Sequence, residues 1–565
     1  MIKLLQRTIG PLFLLLGLVM LPIGTFRSTS VQASGVPALA GRVVDDQGQP
    51  VRGAWVALYL NGDPEPYVEE ESNRDGTFVV RLPNESIDAA RLVVTHPHFE
   101  LITWQADETD LMHLNQGAAV YMPEIELKRR LTAGFWIATF VFGGILLLII
   151  TERLHNTMAA LLGVAAVLGV SLVGRPISGE LFIFDFEQAI EYVDFDVIFL
   201  VMGMMIVVGI IEQTGIFQWT AYQAYRLSGG QVWLLAVILM LLTSVASALL
   251  DNVTTMLLVA PITLQIALTL GVNPLSLLIP EMLASNVGGI STLIGTPNNI
   301  LIGSYAGIGF NDFLRNLTPG VLLAQVALTL YVILTYWKEY RAASGAASPA
   351  LLARLKENAR ITQPEKLRKA GVVFLVVLVL FILGEQVHLV PAVTAILGAV
   401  AMLLVVRADI EEMLRVVDWT TLMFFIALFI VVGAIQEVGL ISFIAAGIHH
   451  LVKENFVAAT LVTVWGTGLL CILIPTIPLT AALLPVVSFL ARTLPASGKV
   501  LFYSLSVGSS LGANTSLIGA TNNMVTAGIA ERAGYPISYR EFLKVGFPAA
   551  VLTLIVGTLW ILIRF

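Results

Sequence analysis

One cysteine, Cys471, sits in an apolar run of this 565-residue chain. That excludes an internal disulfide and any cysteine-built metal site. Charge is scarce as well: 13% of residues are charged against 57% hydrophobic, and mean hydropathy is +0.84. An ordinary soluble protein does not have that balance, so the chain reads as polytopic and membrane-embedded, with the lipid bilayer as its surroundings. It has no basic groove with interleaved aromatics, which argues against nucleic acid as a partner. Ser-His-Asp spacing, a phosphate loop and a metal-ligand pattern are all missing, so nothing supports a membrane enzyme and no cofactor is expected.

What is present is a polar stretch written twice. Residues 286–299 read NVGGISTLIGTPNN, and 224 positions later residues 510–523 read SLGANTSLIGATNN. Gly288/Gly512, Leu293/Leu517, Ile294/Ile518, Gly295/Gly519, Asn298/Asn522 and Asn299/Asn523 coincide. The same offset matches Val193-Asp194 with Val417-Asp418, Gly215 with Gly439 and Pro261 with Pro485, so the membrane part is an internal duplication. A helix that breaks inside hydrocarbon leaves backbone groups unpaired unless the break is buried or lines a cavity. Two breaks at corresponding positions of two halves point to a transport site.

In chain order, residues 1–33 carry Lys3 and Arg7, an apolar run and Val31-Gln32-Ala33, the pattern of a signal peptide or of an uncleaved signal anchor. Residues 36–128 alternate apolar and polar residues in short runs punctuated by Gly, Pro, Asn and Asp, which predicts a small antiparallel β-sandwich. His96 and His98 flank Pro97 in this part and read as surface residues rather than a metal site. From Thr132 the chain is helical and apolar, with spans near 135–151, 157–173, 197–214, 231–248, 254–270, 275–306 (broken) and 320–337. A second series follows at 371–384, 391–406, 420–438, 456–473, 481–494, 501–530 (broken) and 548–563. The expected division is repeat 1 over 132–340, a cytoplasmic linker over 341–369 and repeat 2 over 370–565.

Charge sets the orientation. Eight basic residues face three acidic ones between Lys338 and Lys369, so that loop is read as cytoplasmic, whereas residues 175–196 hold one basic and six acidic residues and are read as external. The crossings close only if residues 231–270 form a re-entrant hairpin with its tip at Asp251-Asn252. Residues 456–494 then form its counterpart from the opposite face, with a tip near Pro475-Thr476. The fold class is therefore all-α with two inverted repeats, re-entrant hairpins and broken helices, plus the β-sandwich. Lys128, Arg129 and Arg130 run against this orientation.

The candidate binding residues are those of the tips and breaks: Asp251, Asn252, Thr254, Thr292, Gly295, Thr296, Pro297, Asn298, Asn299, Thr476, Ser516, Gly519, Asn522 and Asn523, with Glu281 as a second deep carboxylate. An intramembrane acid costs at least ~2.5 kcal/mol at a helix centre on insertion scales and is a functional candidate by default. Against this, Asp251 reads equally well as a cap for the helix after the tip, and Glu281 as a position nearer the interface. With no Lys or Arg in these elements the site is net acidic, which favours Na+ or H+ as one transported species. Glu385 and Glu437 read as solvated or interfacial helix-end residues, and Arg492 as snorkelling.

At LLDNVTTMLLVAP, SNVGGISTLIGTPNNILIGSYAG and SLIGATNNMVTAGIAERAGYPISYREFLKVGFP the sequence resembles the ion transporter superfamily. Within it the likeness is to the P-protein branch, grouped with arsenite permeases and D-type sodium/proton antiporters, and more distantly to citrate and dicarboxylate symporters. The segment from Gly41 to Phe78 resembles carboxypeptidase-regulatory-like domains. The resemblance implies a secondary transporter, usually a homodimer, in which Asp251, Asn252 and Thr254, then Thr292, Gly295, Pro297 and Asn299, and Ser516, Gly519 and Asn523 hold a small ion and its coupling ion. P-protein-like sequences carry an aspartate where Thr296 stands, which moves this chain toward the dicarboxylate symporters. Sodium/proton-antiporter-like transport across the cytoplasmic membrane leads; arsenite or di/tricarboxylate permeation, and an envelope receptor with a membrane anchor, are the alternatives.

Overall fold

A computed structural model describes residues 38–46, 48–83, 86–116, 119–151, 153–342, 357, 360–452, 455–494 and 498–565. The expected signal segment lies outside them.

The first unit packs two four-stranded sheets on a shared apolar core that includes Leu39, Val56, Leu58, Phe78 and Leu92. One sheet holds β3 (Val68–Glu71), β2 (Trp55–Leu60), β5 (Ala90–Thr95) and β6 (Ile102–Gln105), all antiparallel. In the other, β1 (Ala38–Asp45) pairs antiparallel with β4 (Thr77–Arg81) but parallel with β7 (Ala119–Tyr121) and β8 (Ile125–Leu127). The sandwich is therefore mixed rather than wholly antiparallel. Helix α1 (Glu108–Asn115) makes the crossover into β7 that parallel pairing requires.

The helices that follow fall into two matching series. The first is α2 (Ala133–Ile150), α3 (Asn156–Gly174), α4 (Phe186–Glu191), α5 (Phe195–Glu212), α6 (Ile216–Leu227), α7 (Val232–Leu249), α8 (Asn252–Leu270), α9 (Leu275–Gly289), α10 (Pro297–Ala306), α11 (Phe310–Asn316) and α12 (Thr318–Ala342). The second is α13 (Pro364–Gly384), α14 (Pro391–Val406), α15 (Ile410–Val416), α16 (Trp419–Glu437), α17 (Leu440–Val452), α18 (Phe456–Leu470), α19 (Thr476–Thr493), α20 (Val500–Gly512), α21 (Thr521–Arg532) and α22 (Tyr539–Arg564). Ten of the described helices are long and apolar enough to cross a membrane. Short amphipathic helices α6 and α17, each preceded by a left-handed glycine (Gly215, Gly439), were not visible as spans because their apolar residues occupy one stripe only.

Contacts between loops sort the chain into two faces, and the sorting is that of an inverted repeat. On one face the sandwich meets Glu180, Ile183 and Glu191, the end of α16 at Glu437 and the end of α19 at Arg492. Asn311 meets Glu385, Asp312 meets Lys499 and Asn316 meets Arg564 on that same face. On the other, Thr362 bonds Thr214, Gln213 bonds Glu412 and Tyr340 bonds Ser276. Hairpin α7–α8 thus opens to the second face and hairpin α18–α19 to the sandwich face. Although α7 and α8 are long enough to span, their tip stops at the break helix, where Asn252 bonds Asn286.

Docking of the sandwich accounts for the basic cluster that ran against the charge rule. Arg129 pairs with buried Asp45 at 3.2 Å and donates to the Glu437 carbonyl, and Arg130 pairs with Glu180 at 2.8 Å. Three end residues carry partners: Tyr192 donates to the partly buried Glu437, while Glu385, which accepts from the Asn311 amide, and Arg492, which donates to Gln49, stay exposed. His96 and His98 correct their surface reading, since both are buried in this joint and His98 Nε2 sits 2.9 Å from the Ile183 carbonyl.

Burial, with His98 and Arg129 adding to it, pushes the His96 imidazole down to about 3 from its ordinary 6.5. Its neighbour Glu437, 3.7 Å away, favours the charged ring, but burial is the larger effect. A released sandwich therefore binds more protons than a docked one, and docking weakens as pH falls from about 6.5 toward 3. Limited proteolysis across that window should cut the joint increasingly at acid pH, and a His96→Gln/His98→Gln double variant should flatten the profile. Cleavage indifferent to pH would refute this.

Candidate functional site

Each break is built the same way. Thr296 and Ala520 share φ −143° and ψ 147°, so in each repeat the chain re-enters a helix through one extended residue. Pro297 at the first position of α10 presets that start. The Asn299 amide closes the first break by donating to the carbonyls of Gly289, Ile290 and Thr292 at 2.8 to 3.2 Å. Asn523 does the same for Ala513 and Ser516 at 3.0 and 3.2 Å, which are the repeat positions of Gly289 and Thr292. Thr292 donates to the Ala248 carbonyl and Ser516 to the Cys471 carbonyl, tying each break to the end of its hairpin's first arm. A Cβ on Gly295 would lie 2.3 Å from the Gly289 carbonyl oxygen, and one on Gly519 would lie 2.7 Å from that of Ala513. These glycines are close-approach positions.

The breaks then interlock across the repeats. Asn252 at the first hairpin tip donates to Asn286 at 3.1 Å and to Asn522 at 3.3 Å. Asn286 donates to Asn514 at 2.8 Å and Asn523 at 3.2 Å, and Ser506 donates to Asn299 at 2.6 Å. Asn514 reaches back to the Leu283 carbonyl. Helix α8 packs along α21 and α19 along α10, so each hairpin's second arm lies on the other repeat's post-break helix. Asn298 Oδ1, Asn522 Nδ2, Thr480 Oγ1 and Ser510 Oγ are buried without a partner among the described residues. Of these, Asn522 belongs to the asparagine crossing itself, and an unmet buried polar group of this kind is what a solute or ion satisfies.

The carboxylates divide. Asp251 Oδ1 accepts from the Val253 and Thr254 amides at 2.9 Å, and Oδ2 accepts from the Thr254 hydroxyl, which is helix capping. Thr254 serves that cap. Asp251→Asn, another good capping residue, should therefore keep uptake within a few-fold of wild type, and abolished uptake would restore a ligand role. Glu281 lies away from the crossing, between Thr263 of α8 and Thr243 of α7. Thr476 is buried in the first turn of α19, whose cap position is Pro475. No cluster of three or more metal-ligating side chains occurs among the described residues.

The sequence reading missed Asn286, Asn514 and Ser506 as members. Their repeat partners are Ser510, Ile290 and Met282, so matching the halves discards them.

The citrate transporter family matches residues 146–508. An uncharacterised transporter of Mycobacterium tuberculosis is 35% identical over 431 residues, covering 76% of this chain and 98% of that protein. The P protein of Homo sapiens is 32% identical over 549 residues, covering 82% of this chain and 64% of that protein. Among solved structures, the YdaH transporter of Alcanivorax borkumensis aligns with a TM-score of 0.49 at 15% identity, over 76% of this chain and 97% of that one.

Proposed function

The chain belongs to the citrate transporter family, and from that membership we propose a secondary active transporter that carries a small ion through the cytoplasmic membrane by alternating access, with coupling to Na+ or H+. The observation that carries this reading is the asparagine crossing, where amides from both repeats hold one another and leave Asn522 Nδ2 unmet among the described residues. Candidate ligands are Asn252, Asn298, Asn522 and Thr480, with the breaks' other residues shaping the backbone around them. Two inverted repeats (132–340 and 370–565) joined by a cytoplasmic linker place the sandwich outside the cytoplasm in this proposal.

One asymmetry favours an organic anion over an inorganic cation as the solute. Helices α8 and α10 of the first repeat begin under side-chain caps from Asp251 and Thr296, whereas α19 and α21 of the second begin at Pro475 and Ala520 with none. Uncapped amides at a helix start attract negative charge, here beside the free amide nitrogen of Asn522. The family's description adds weight to a di- or tricarboxylate.

The test is flux in liposomes, with internal pH and Na+ recorded while gradients of citrate, succinate, arsenite and Na+ are imposed singly. A carboxylate-driven signal is expected. A Na+-driven proton signal without any solute would favour the antiporter reading, and no flux with any of them would remove both.

A further inference from the structure

We propose that Glu281 is a proton-binding residue of the transport cycle, built among the first repeat's helices and separate from the asparagine crossing. The inference rests on the transporter reading above but on different atoms. Glu281 is 1% exposed on α9, the pre-break helix. Its Oε1 accepts from Thr263 at 2.9 Å and, more weakly, from Thr243 at 3.5 Å, while Oε2 has no partner among the described residues. The two hydroxyls come from opposite arms of hairpin α7–α8, so one carboxyl joins the hairpin to the helix it closes against.

The surroundings decide what binds. Helices α7, α8, α12, α20, α21 and α22 all pack on α9, and the one titratable side chain among the described residues with an electrostatic interaction with Glu281 is Tyr340 of α12. No arginine, lysine or histidine among the described residues pairs with the carboxylate. Moving an unbalanced charge into such a place is costly, and a group facing that cost takes up a proton instead. A metal cation would need several converging oxygens, whereas here both hydroxyls already donate to Oε1 and Oε2 alone is open. The chemistry is the plain equilibrium of carboxylate plus proton with carboxylic acid, and no other bond changes.

The geometry also gives a route and a consequence. Tyr340 Oη donates to the Ser276 carbonyl at 2.7 Å, at the α9 end on the face opposite the sandwich. Glu281 lies five residues further along, or about 7.5 Å of helix rise, and Asn286 five beyond it. A proton entering from that face reaches Glu281 before the crossing. A neutral carboxyl lets α7, α8 and α9 pack as one apolar body; ionisation draws water toward Oε2 and loosens the hairpin from α9. Proton occupancy is in this way tied to the position of the hairpin whose tip carries Asn252.

The experiment is infrared difference spectroscopy on the reconstituted full chain through successive pH steps, with Glu281→Gln and Glu281→Asp alongside. A protonated-carboxyl band that titrates in the wild type, persists in Glu281→Asp and is missing from Glu281→Gln is the expected result. Citrate-driven internal acidification should fall at least tenfold in Glu281→Gln, while stabilisation of the purified variant by citrate persists. The proposal is overturned if the band is unchanged in Glu281→Gln, or if that variant moves protons with the wild-type pH profile. Absence of citrate response in the wild type would fault the solute assignment instead, and the infrared band would still decide the role of Glu281.

Discussion

Asn286→Leu should abolish uptake in reconstituted vesicles while the protein still inserts and elutes as the wild type does. Asn286 touches both tip and second break, donating to Asn514 and Asn523 and accepting from Asn252. A leucine there removes the donor to the buried Asn514 and Asn523 amide oxygens and leaves Asn252 with Asn522 alone, and each unmet group costs about 1–3 kcal/mol. The cost falls on the contact between the repeats, because the helices themselves keep their own hydrogen bonds. Loss of flux of at least a hundredfold with intact helical content is the expected pairing, measured by uptake and circular dichroism on the same preparation. Near-normal flux would mean that the amide network is packing and nothing more.

Gly295→Ala should be strongly destabilising. The added methyl would meet two backbone carbonyls, Gly289 at 2.3 Å and Ser247 at 2.8 Å, and backbone cannot swing aside as a side chain does. Overpacking of a dense interior costs about 1–3 kcal/mol, and a clash with two fixed carbonyls belongs at or above the top of that range. Gly519→Ala meets its nearest atom at 2.7 Å and should be milder. Thermal unfolding in detergent should therefore rank wild type above Gly519→Ala and Gly519→Ala above Gly295→Ala. Equal midpoints for all three would show that the breaks relax freely.

Much of this architecture was legible because hydrocarbon punishes unpaired backbone. A run of Gly, Thr and Asn inside apolar flanks had to be a break, and a break occurring twice had to be a repeat. The span at 391–406 coincides with α14, and the hairpin needed to close the charge count is present as α7–α8. Three things were not legible. The amphipathic helices α6 and α17 lie outside the run-length signal. The joint between sandwich and helices converts His96, Glu437 and Arg492 from apparent surface residues to bonded ones, which a one-dimensional charge pattern cannot show. The crossing itself depends on Asn286, Asn514 and Ser506, which act precisely where the halves differ in residue type, so symmetry was the wrong filter for them.

Asp251 illustrates an ambiguity of residue type. An intramembrane aspartate reads as a binding group, yet among the described residues its side chain accepts from the first turn of its own helix. Glu281 is the converse. It looked like a companion of the tips and instead sits in a pocket of its own hydroxyls.

The central claim is that the crossing binds the transported solute, and ligand-induced stabilisation of the purified chain tests it without any assumption about coupling. Citrate at a hundredfold excess over its dissociation constant should stabilise the wild type by about 2.7 kcal/mol. That shift should vanish in Asn522→Leu, with helical content unchanged. A citrate response that survives Asn522→Leu intact would contradict the account.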